Sequence, residues 1–314
     1  LEKIIIDTDP GIDDTLAIFY ALESGAFDLL GLTTVFGNVE TSLATENALR
    51  LLEIAGRSDI PVAMGAVQPL LQAFQGAVPH IHGEDGQGNQ FLAPPRLQPV
   101  RQSAAQFIVK SIMAYPGEVT LVPIGPLTNI ALALRLEPRI IHHVKRVVLM
   151  GGAALVPGNY NPAAEANIYN DPEAAHIVFS AAWDVTMVGL DVTHQVLMSD
   201  EQLAHYAASA KPTSQHVSRI LPIYQEFARQ IMGGRGLYMH DPTAISYLLT
   251  PELFEVRPYP LRVETLGISR GKTWVWSQPG DFSPETFGFD TSNPVNVVIG
   301  ADVQAVNAMF MQYI

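Results

Sequence analysis

Apolar runs rich in β-branched residues take turns with stretches of helical period along most of the chain. Strands are predicted from Ile4 to Asp7, Leu29 to Phe36, Pro61 to Met64, Val119 to Ile124, Val144 to Met150 and Val185 to Leu190. Between them, apolar positions fall at helical spacing near residues 14–24, 41–55, 101–115, 127–136, 171–181, 199–208 and 213–232. Strands that are apolar on both faces and separated by helices form a mostly parallel sheet covered on both sides. The expected fold class is therefore α/β, and ligands of such sheets bind beyond the carboxyl ends of the strands. The last third is less regular. Strands are expected from Phe254 to Val263, from Lys272 to Trp276 and around Val297-Val298-Ile299, followed by a closing helix from Asp302. No Ser-rich or Pro-rich linker divides the 314 residues, so one domain, 1–314, is expected.

Polar residues break this pattern where strands end. The first strand runs directly into Asp7-Thr8-Asp9-Pro10-Gly11-Ile12-Asp13-Asp14. Side chains alternate along a strand, so Asp7 and Asp9 are expected on one face at its end. Pro10-Gly11 turns the chain, and Asp13-Asp14 opens the next helix. A helix N-cap would account for one of these aspartates only. Three or four carboxylates meeting in one small volume must be protonated, neutralised or held by a metal, and oxygen-only ligands select a hard ion such as Ca²⁺ or Mg²⁺.

Further polar segments are expected on the same rim: Gly37-Asn38 after the second strand, Gly125-Pro126-Leu127-Thr128-Asn129 after the fourth, and Gly151-Gly152 after the fifth. Residues 79–90 form a Gly-rich loop containing His80 and His82, long enough for a mobile lid. Between Gly158 and Pro172, Asn159, Glu165 and Asn167 mix donors and acceptors in the way a sugar's vicinal hydroxyls require. In the same stretch Asn170 or Asp171 before Pro172 reads as a helix cap. His240-Asp241-Pro242 opens another helix, where Asp241 alone would pass for a cap.

Composition narrows the partners. Hydrophobic residues make up 48% and charged residues 16%, as in an ordinary globular protein. A net charge of −13 with no Lys/Arg cluster disfavours nucleic acid and anionic membranes, which demand a basic footprint. The absence of cysteine excludes disulfides, thiolate catalysis and zinc–thiolate sites. No run is apolar over the length of a membrane span, and Leu1-Glu2-Lys3 lacks the apolar core of a signal peptide. A cytoplasmic location is the expectation. The missing initiator Met fits a trimmed chain, which leaves a removed leader open.

Taken together, the DTDPGIDD segment, Gly37-Asn38, His82-Gly83, VPIGPLTNIA at 122–131, the GN…AEANIYNDPEAA stretch at 158–175 and HDP at 240–242 resemble the nucleoside hydrolases of the inosine-uridine-preferring type. These are calcium-dependent N-ribohydrolases, and the resemblance covers nearly the whole chain. It implies a Rossmann-like open sheet, nucleoside substrates and a homodimer or homotetramer. It further implies that Ca²⁺ is bound by the carboxylates of Asp9, Asp14 and Asp241 and by the backbone carbonyl of Ile124. Asp9 would double as general base toward water, while Asp13, Asn38, Asn159, Glu165 and Asn167 hold the ribose. His82 and His240 would lie at the nucleobase, with His240 as acid to the departing base. One departure shows: Ala166 stands where relatives carry Phe, which bears on base preference.

Cleavage of an N-glycosidic bond passes through an oxocarbenium-like sugar, so a site needs negative charge near C1′, an activated water and a means of neutralising the leaving base. Each requirement has a candidate here. Spacing alone does not separate Asp9 from Asp13 as base; the resemblance selects Asp9. His142, His143, His176, His205 and His216 read as structural, with His80 and His194 as secondary rim candidates. Two other classes compete. Asp-x-Asp at a strand end also opens Mg²⁺-dependent phosphatases of the haloacid-dehalogenase type, but Pro10-Gly11 and Asp13-Asp14 fit that pattern poorly. A calcium-dependent nucleoside or ribose binding protein would use the same clamp, but has no need of surplus carboxylates with a histidine near the base.

Overall fold

The computed structural model describes residues 1–233, 236–277 and 283–313. Its strands are β1 (Glu2–Thr8), β2 (Phe27–Thr34), β3 (Val62–Met64), β4 (Val119–Pro123), β5 (Arg146–Met150), β6 (Val185–Val188), β7 (Leu197–Met198), β8 (Leu237–Tyr238), β9 (Phe254–Tyr259), β10 (Leu261–Val263), β11 (Thr273–Val275) and β12 (Val295–Ala301). Eight of them form one sheet in the order β3-β2-β1-β4-β5-β6-β12-β9. Neighbours are parallel except β9, which runs antiparallel to β12 at the edge. The expected mostly parallel α/β sheet is what forms.

The longer helices are α1 (Ile12–Ser24), α2 (Thr41–Ile54), α4 (Ala104–Ala114), α5 (Thr128–Leu136), α7 (Pro172–Phe179), α9 (Asp200–Ala208), α10 (Pro212–Met232), α11 (His240–Leu249) and α12 (Val303–Met311). Short turns of helix, α3 (Pro79–His82), α6 (Ala166–Asn170) and α8 (Leu190–Thr193), lie on the rim. Among the described residues no helix is long and apolar enough to cross a membrane.

Alternation along the strands builds a core on each face. Ile4 and Ile6 of β1 pack in one cluster with Leu16, Leu52, Val217 and Ile245, whereas Ile5 packs in the other with Ile108, Leu121, Ile130 and Val178. All three isoleucines are fully buried. Each such side chain contributes roughly 1.5–3 kcal/mol relative to exposure.

The chain winds from β1 outward to β2 and β3, then returns to the other side of β1 for β4, β5 and β6. The order therefore reverses between β1 and β4, and the crevice beyond their carboxyl ends is the ligand position such a sheet offers. Asp9 follows β1 there and Ile124 follows β4.

Several boundaries differ from the sequence pattern. The strand expected from Phe254 to Val263 is two strands in different sheets, with Pro260 between them. Proline lacks the N–H a ladder needs. The strand expected to reach Leu190 stops at Val188, because Gly189 takes an extended conformation as N-cap of α8. The first helix starts at Ile12, with Gly11 rather than Asp13 or Asp14 at its N-cap.

Candidate active site

The turn after β1 is held by its own aspartates. Asp14, in the first turn of α1, accepts at Oδ1 from the Thr8 hydroxyl at 2.6 Å and from Asp9 N at 3.2 Å. At Oδ2 it accepts from Gly11 N at 3.1 Å and Asn38 Nδ2 at 2.9 Å. Asp9 Oδ2 accepts from Asn38 N at 2.6 Å, while Asp9 Oδ1 is buried without a hydrogen-bond partner among the described residues. Asp9 leaves no room beside it. A Cβ on Gly37 would lie 2.0 Å from Asp9 Oδ2, and one on Gly125 would lie 2.4 Å from Oδ1.

Asp7 departs from the expectation that it shares the site with Asp9. Its Oδ1 accepts from the Thr33 hydroxyl and from Asn129 Nδ2 at 2.8 Å, so it braces the neighbouring strand and α5 from below. Burial pushes its carboxyl up to about 7.

The fourth carboxylate arrives from α11. Asp241 N donates to Asp13 Oδ2 at 3.1 Å, and Asp13 Oδ1 is buried with no partner among the described residues. Asp241 does not cap its helix; Met239 holds the N-cap position. Burial is the first cause that raises the carboxyls of Asp9, Asp13, Asp14 and Asp241 above the ordinary range. Repulsion adds to it: Asp14 acts on Asp9 and on Asp13, and Asp13, Asp14 and Asp9 act on Asp241.

The histidines flank this cluster. His82 Nδ1 accepts from Ile12 N at 3.1 Å, which places its ring proton on Nε2, and its ring centroid is 5.4 Å from that of Tyr224 on α10. His240 Nδ1 is 2.7 Å from the Thr193 hydroxyl, and the His194 ring lies 5.6 Å away. Burial holds both His82 and His240 down at about 3, so both are neutral at pH 7.

The segment after β5 is built around Glu165. Its carboxylate caps α6, accepting from Asn167 N at 2.9 Å, Ile168 N at 3.1 Å and Gly152 N at 2.9 Å. Burial raises its pKa. Asn167 Nδ2 donates to the Ile124 carbonyl at 2.9 Å, and Asn159 Oδ1 accepts from Ala166 N at 3.0 Å. No aromatic ring stands at position 166; Tyr160 and Tyr169 of this segment stack on each other at 4.0 Å. Asp171 caps α7 as the sequence pattern expects.

Among the described residues no three Asp, Glu or His side chains form a ready-made metal-binding group. The chemistry of the donors nonetheless fits a hard cation. They are oxygens only, two of them are buried without partners, and the carboxylates repel one another in a dry volume. Of the expected ligands Asp9 brings an unpartnered oxygen, and Asp13, beside that set, brings another. Asp14 comes with both oxygens already accepting hydrogen bonds, and the Ile124 carbonyl with an amide donor.

Other side chains at the site have no counterpart in the sequence reading. Thr193 meets His240, and Asp191 anchors the backbone after β5 by accepting from Ala154 N at 2.8 Å and Leu155 N at 2.7 Å. Both belong to a polar segment directly after a strand, the same signal that marked Gly37-Asn38. Tyr224 comes from α10, where nothing local distinguishes it; His216 of the same helix, read as structural, contacts Gln87 of the 79–90 loop. That loop is tied down along its length: Asp85 accepts from the amides of Gln87, Asn89 and Phe91.

Fold and site together define an α/β protein with an acidic, oxygen-only site at the switch point of its sheet. A family model described as inosine-uridine preferring nucleoside hydrolase matches residues 4–308. The probable uridine nucleosidase 2 of Arabidopsis thaliana is 45% identical over 311 residues, covering 99% of this chain and 96% of its own. The inosine-uridine preferring nucleoside hydrolase of Leishmania major is 42% identical over 276 residues, 87% of each chain. Among solved structures, the plant nucleoside hydrolase PpNRh1 superposes with a TM-score of 0.93 at 37% identity, covering 99% of this chain and 98% of that one. The chain belongs to the inosine-uridine preferring nucleoside hydrolase family, enzymes that hydrolyse the N-glycosidic bond of ribonucleosides.

Proposed function

We propose that the chain hydrolyses ribonucleosides to free base and ribose, that Ca²⁺ is held by Asp9, Asp14, Asp241 and the Ile124 carbonyl, and that uridine is among its substrates. The observation that carries this reading is the meeting of four buried carboxylates, two with unpartnered oxygens, at the switch point of the sheet. When bound, calcium supplies charge neutralisation and orients water and ribose hydroxyls.

The protein's own groups do the rest. Asp9 is fixed at Oδ2 by Asn38 N and free at Oδ1, the arrangement a base needs to take a proton from water without losing its aim. Asp13, fixed at Oδ2 and free at Oδ1, is set to accept from a ribose hydroxyl. Asn38, Asn159, Glu165 and Asn167 complete the ribose clamp. Their existing hydrogen bonds, to backbone for Asn159, Glu165 and Asn167 and to Asp14 for Asn38, hold them in place beforehand, which reduces the ordering cost of binding. His82 offers its Nε2 proton at the nucleobase. His240 serves the leaving base; neutral at rest, it takes up a proton from solvent as substrate binds and passes it to the departing base, returning to the neutral imidazole.

The names of the relatives favour uridine: two plant relatives are described as a uridine nucleosidase and a probable one, and a bacterial one as pyrimidine-specific. The deciding assay is release of free ribose, without added phosphate, from uridine, cytidine, inosine, adenosine and guanosine, before and after chelation and with Ca²⁺ restored. Nucleoside binding without ribose release would instead make the chain a binding protein. We place the protein in the cytoplasm as a homodimer or homotetramer, which sedimentation of the purified chain tests for assembly.

A further inference from the structure

Gln87, in the middle of the Gly-rich loop, is 1% exposed and bridges two elements. Its Nε2 lies 3.4 Å from Pro10 O, 3.2 Å from Gly11 O, 3.0 Å from Thr15 Oγ1 and 3.0 Å from Gly86 O. Thr15 donates its own hydroxyl proton to Gly11 O at 2.6 Å, so toward Gln87 it accepts. With acceptors on every side of Nε2, the amide has one orientation, and Oε1 faces His216 Nε2 at 2.8 Å. An amide oxygen only accepts, so His216 donates.

His216 is also 1% exposed and sits edge-on to Phe19 at 6.2 Å. Its Nδ1 has no hydrogen-bond partner among the described residues. Burying a half-satisfied imidazole is costly, and packing against Phe19 alone would favour an apolar ring. The ring's contribution is therefore its one donor. Asn47 Nδ2 adds a second grip, donating to Pro10 O at 3.1 Å and Asp85 O at 2.9 Å.

Pro10-Gly11 is the turn that separates Asp9 from Asp13 and Asp14. We propose that Gln87 and His216 are positioning residues, a clasp that seats α10 and the 79–90 loop on this turn and thereby sets the carboxylates' geometry. The same helix places Tyr224 against His82, so the clasp ties the lid side of the site to its acidic floor. The kinetic consequence rests on the proposed hydrolase function; the structural one does not.

Three variants separate positioning from packing. Gln87→Met keeps length and loses both ends of the clasp. His216→Phe keeps the ring and loses the donor, whereas His216→Gln gives up the ring and retains a donor near the place of Nε2. The readouts are kcat and KM for ribose release, and amide exchange from Gly11 to Thr15. Gln87→Met and His216→Phe are expected to lower kcat about tenfold or more, since displacement of reacting groups by a fraction of an ångström to one ångström carries that cost. Both should speed exchange in the turn, the double variant should be no worse than either single one, and His216→Gln should keep most of kcat and slow exchange. Wild-type kcat and exchange in His216→Phe, equal damage from Phe and Gln, or losses that multiply in the double variant would each overturn the clasp. A wild-type protein that releases no ribose would defeat the hydrolase reading alone, because the exchange comparison still decides the clasp.

Discussion

Asp9 is held at one oxygen and free at the other, with Gly37 and Gly125 packed against its carboxylate and Asp14 repelling it. Asp9→Asn keeps the shape and a ligand oxygen but removes basicity, so kcat should fall by ~10²–10⁴ at saturating calcium. Near-normal turnover would pass the role to Asp13. Gly125→Ala tests the same geometry from outside. Its Cβ would stand 2.4 Å from Asp9 Oδ1, and Gly125 does not use a left-handed conformation, so the substitution displaces the carboxylate without straining its own backbone. Ribose release should drop steeply, with a stability loss of about 1–3 kcal/mol from overpacking the buried carboxylate. His240→Ala should slow inosine strongly and spare p-nitrophenyl riboside, because nitrophenolate leaves without a proton. Equal losses on both substrates with normal calcium content and melting temperature would remove His240 from that role.

At the scale of elements, caps do more than end helices. Asp171 Oδ1 caps α7 by accepting from Ala174 N at 3.0 Å, while Oδ2 accepts from Leu70 N at 2.9 Å and the Thr128 hydroxyl at 2.7 Å. One carboxylate thus joins α7, the start of α5 and the stretch after β3. Asp171→Ala should cost about 3 kcal/mol in urea unfolding, the sum of a lost cap and buried donors left unpaired. A loss of only about 1 kcal/mol would reduce Asp171 to an ordinary cap. Glu165 works in the same way for α6: Asn167 N and Ile168 N are its cap bonds, and Gly152 N ties the proposed sugar segment to the end of β5.

For the whole molecule, the acidic cluster links stability to pH and to cations. Its carboxyls are raised in the folded state above their ordinary 3.8, so the cation-free fold binds protons more tightly than the unfolded chain. This contribution is fully present below that value and is lost as pH rises through the raised range. A cation prefers the deprotonated carboxylates. At a fixed concentration a hundred times its Kd at pH 8, calcium would add about 2.7 kcal/mol there, several degrees in melting temperature, and less at pH 5, where the carboxyls hold protons. Scanning calorimetry with and without calcium at both ends of that range checks the sign. No calcium-dependent shift at pH 8 would remove the metal from the site.

The parallel α/β sheet and the meeting of Asp9, Asp13 and Asp14 are legible along the chain, because both depend on local order. A run apolar on both faces must be buried on both, and a strand, a two-residue turn and a helix bring their aspartates together whatever surrounds them. The short helices α6 and α8 escaped because four or five residues hold too little of a helical period. The break at Pro260 was written in the sequence but outvoted by the apolar residues around it. Three contacts have no local signal: Asp241 joins Asp13 across 228 positions, Asn167 covers the Ile124 carbonyl across 43, and Gln87 meets His216 across 129. Periodicity reports which face of an element is apolar. Which loop that element meets depends on sheet order and on the seating of one helix against another, and those are fixed only when the whole core closes.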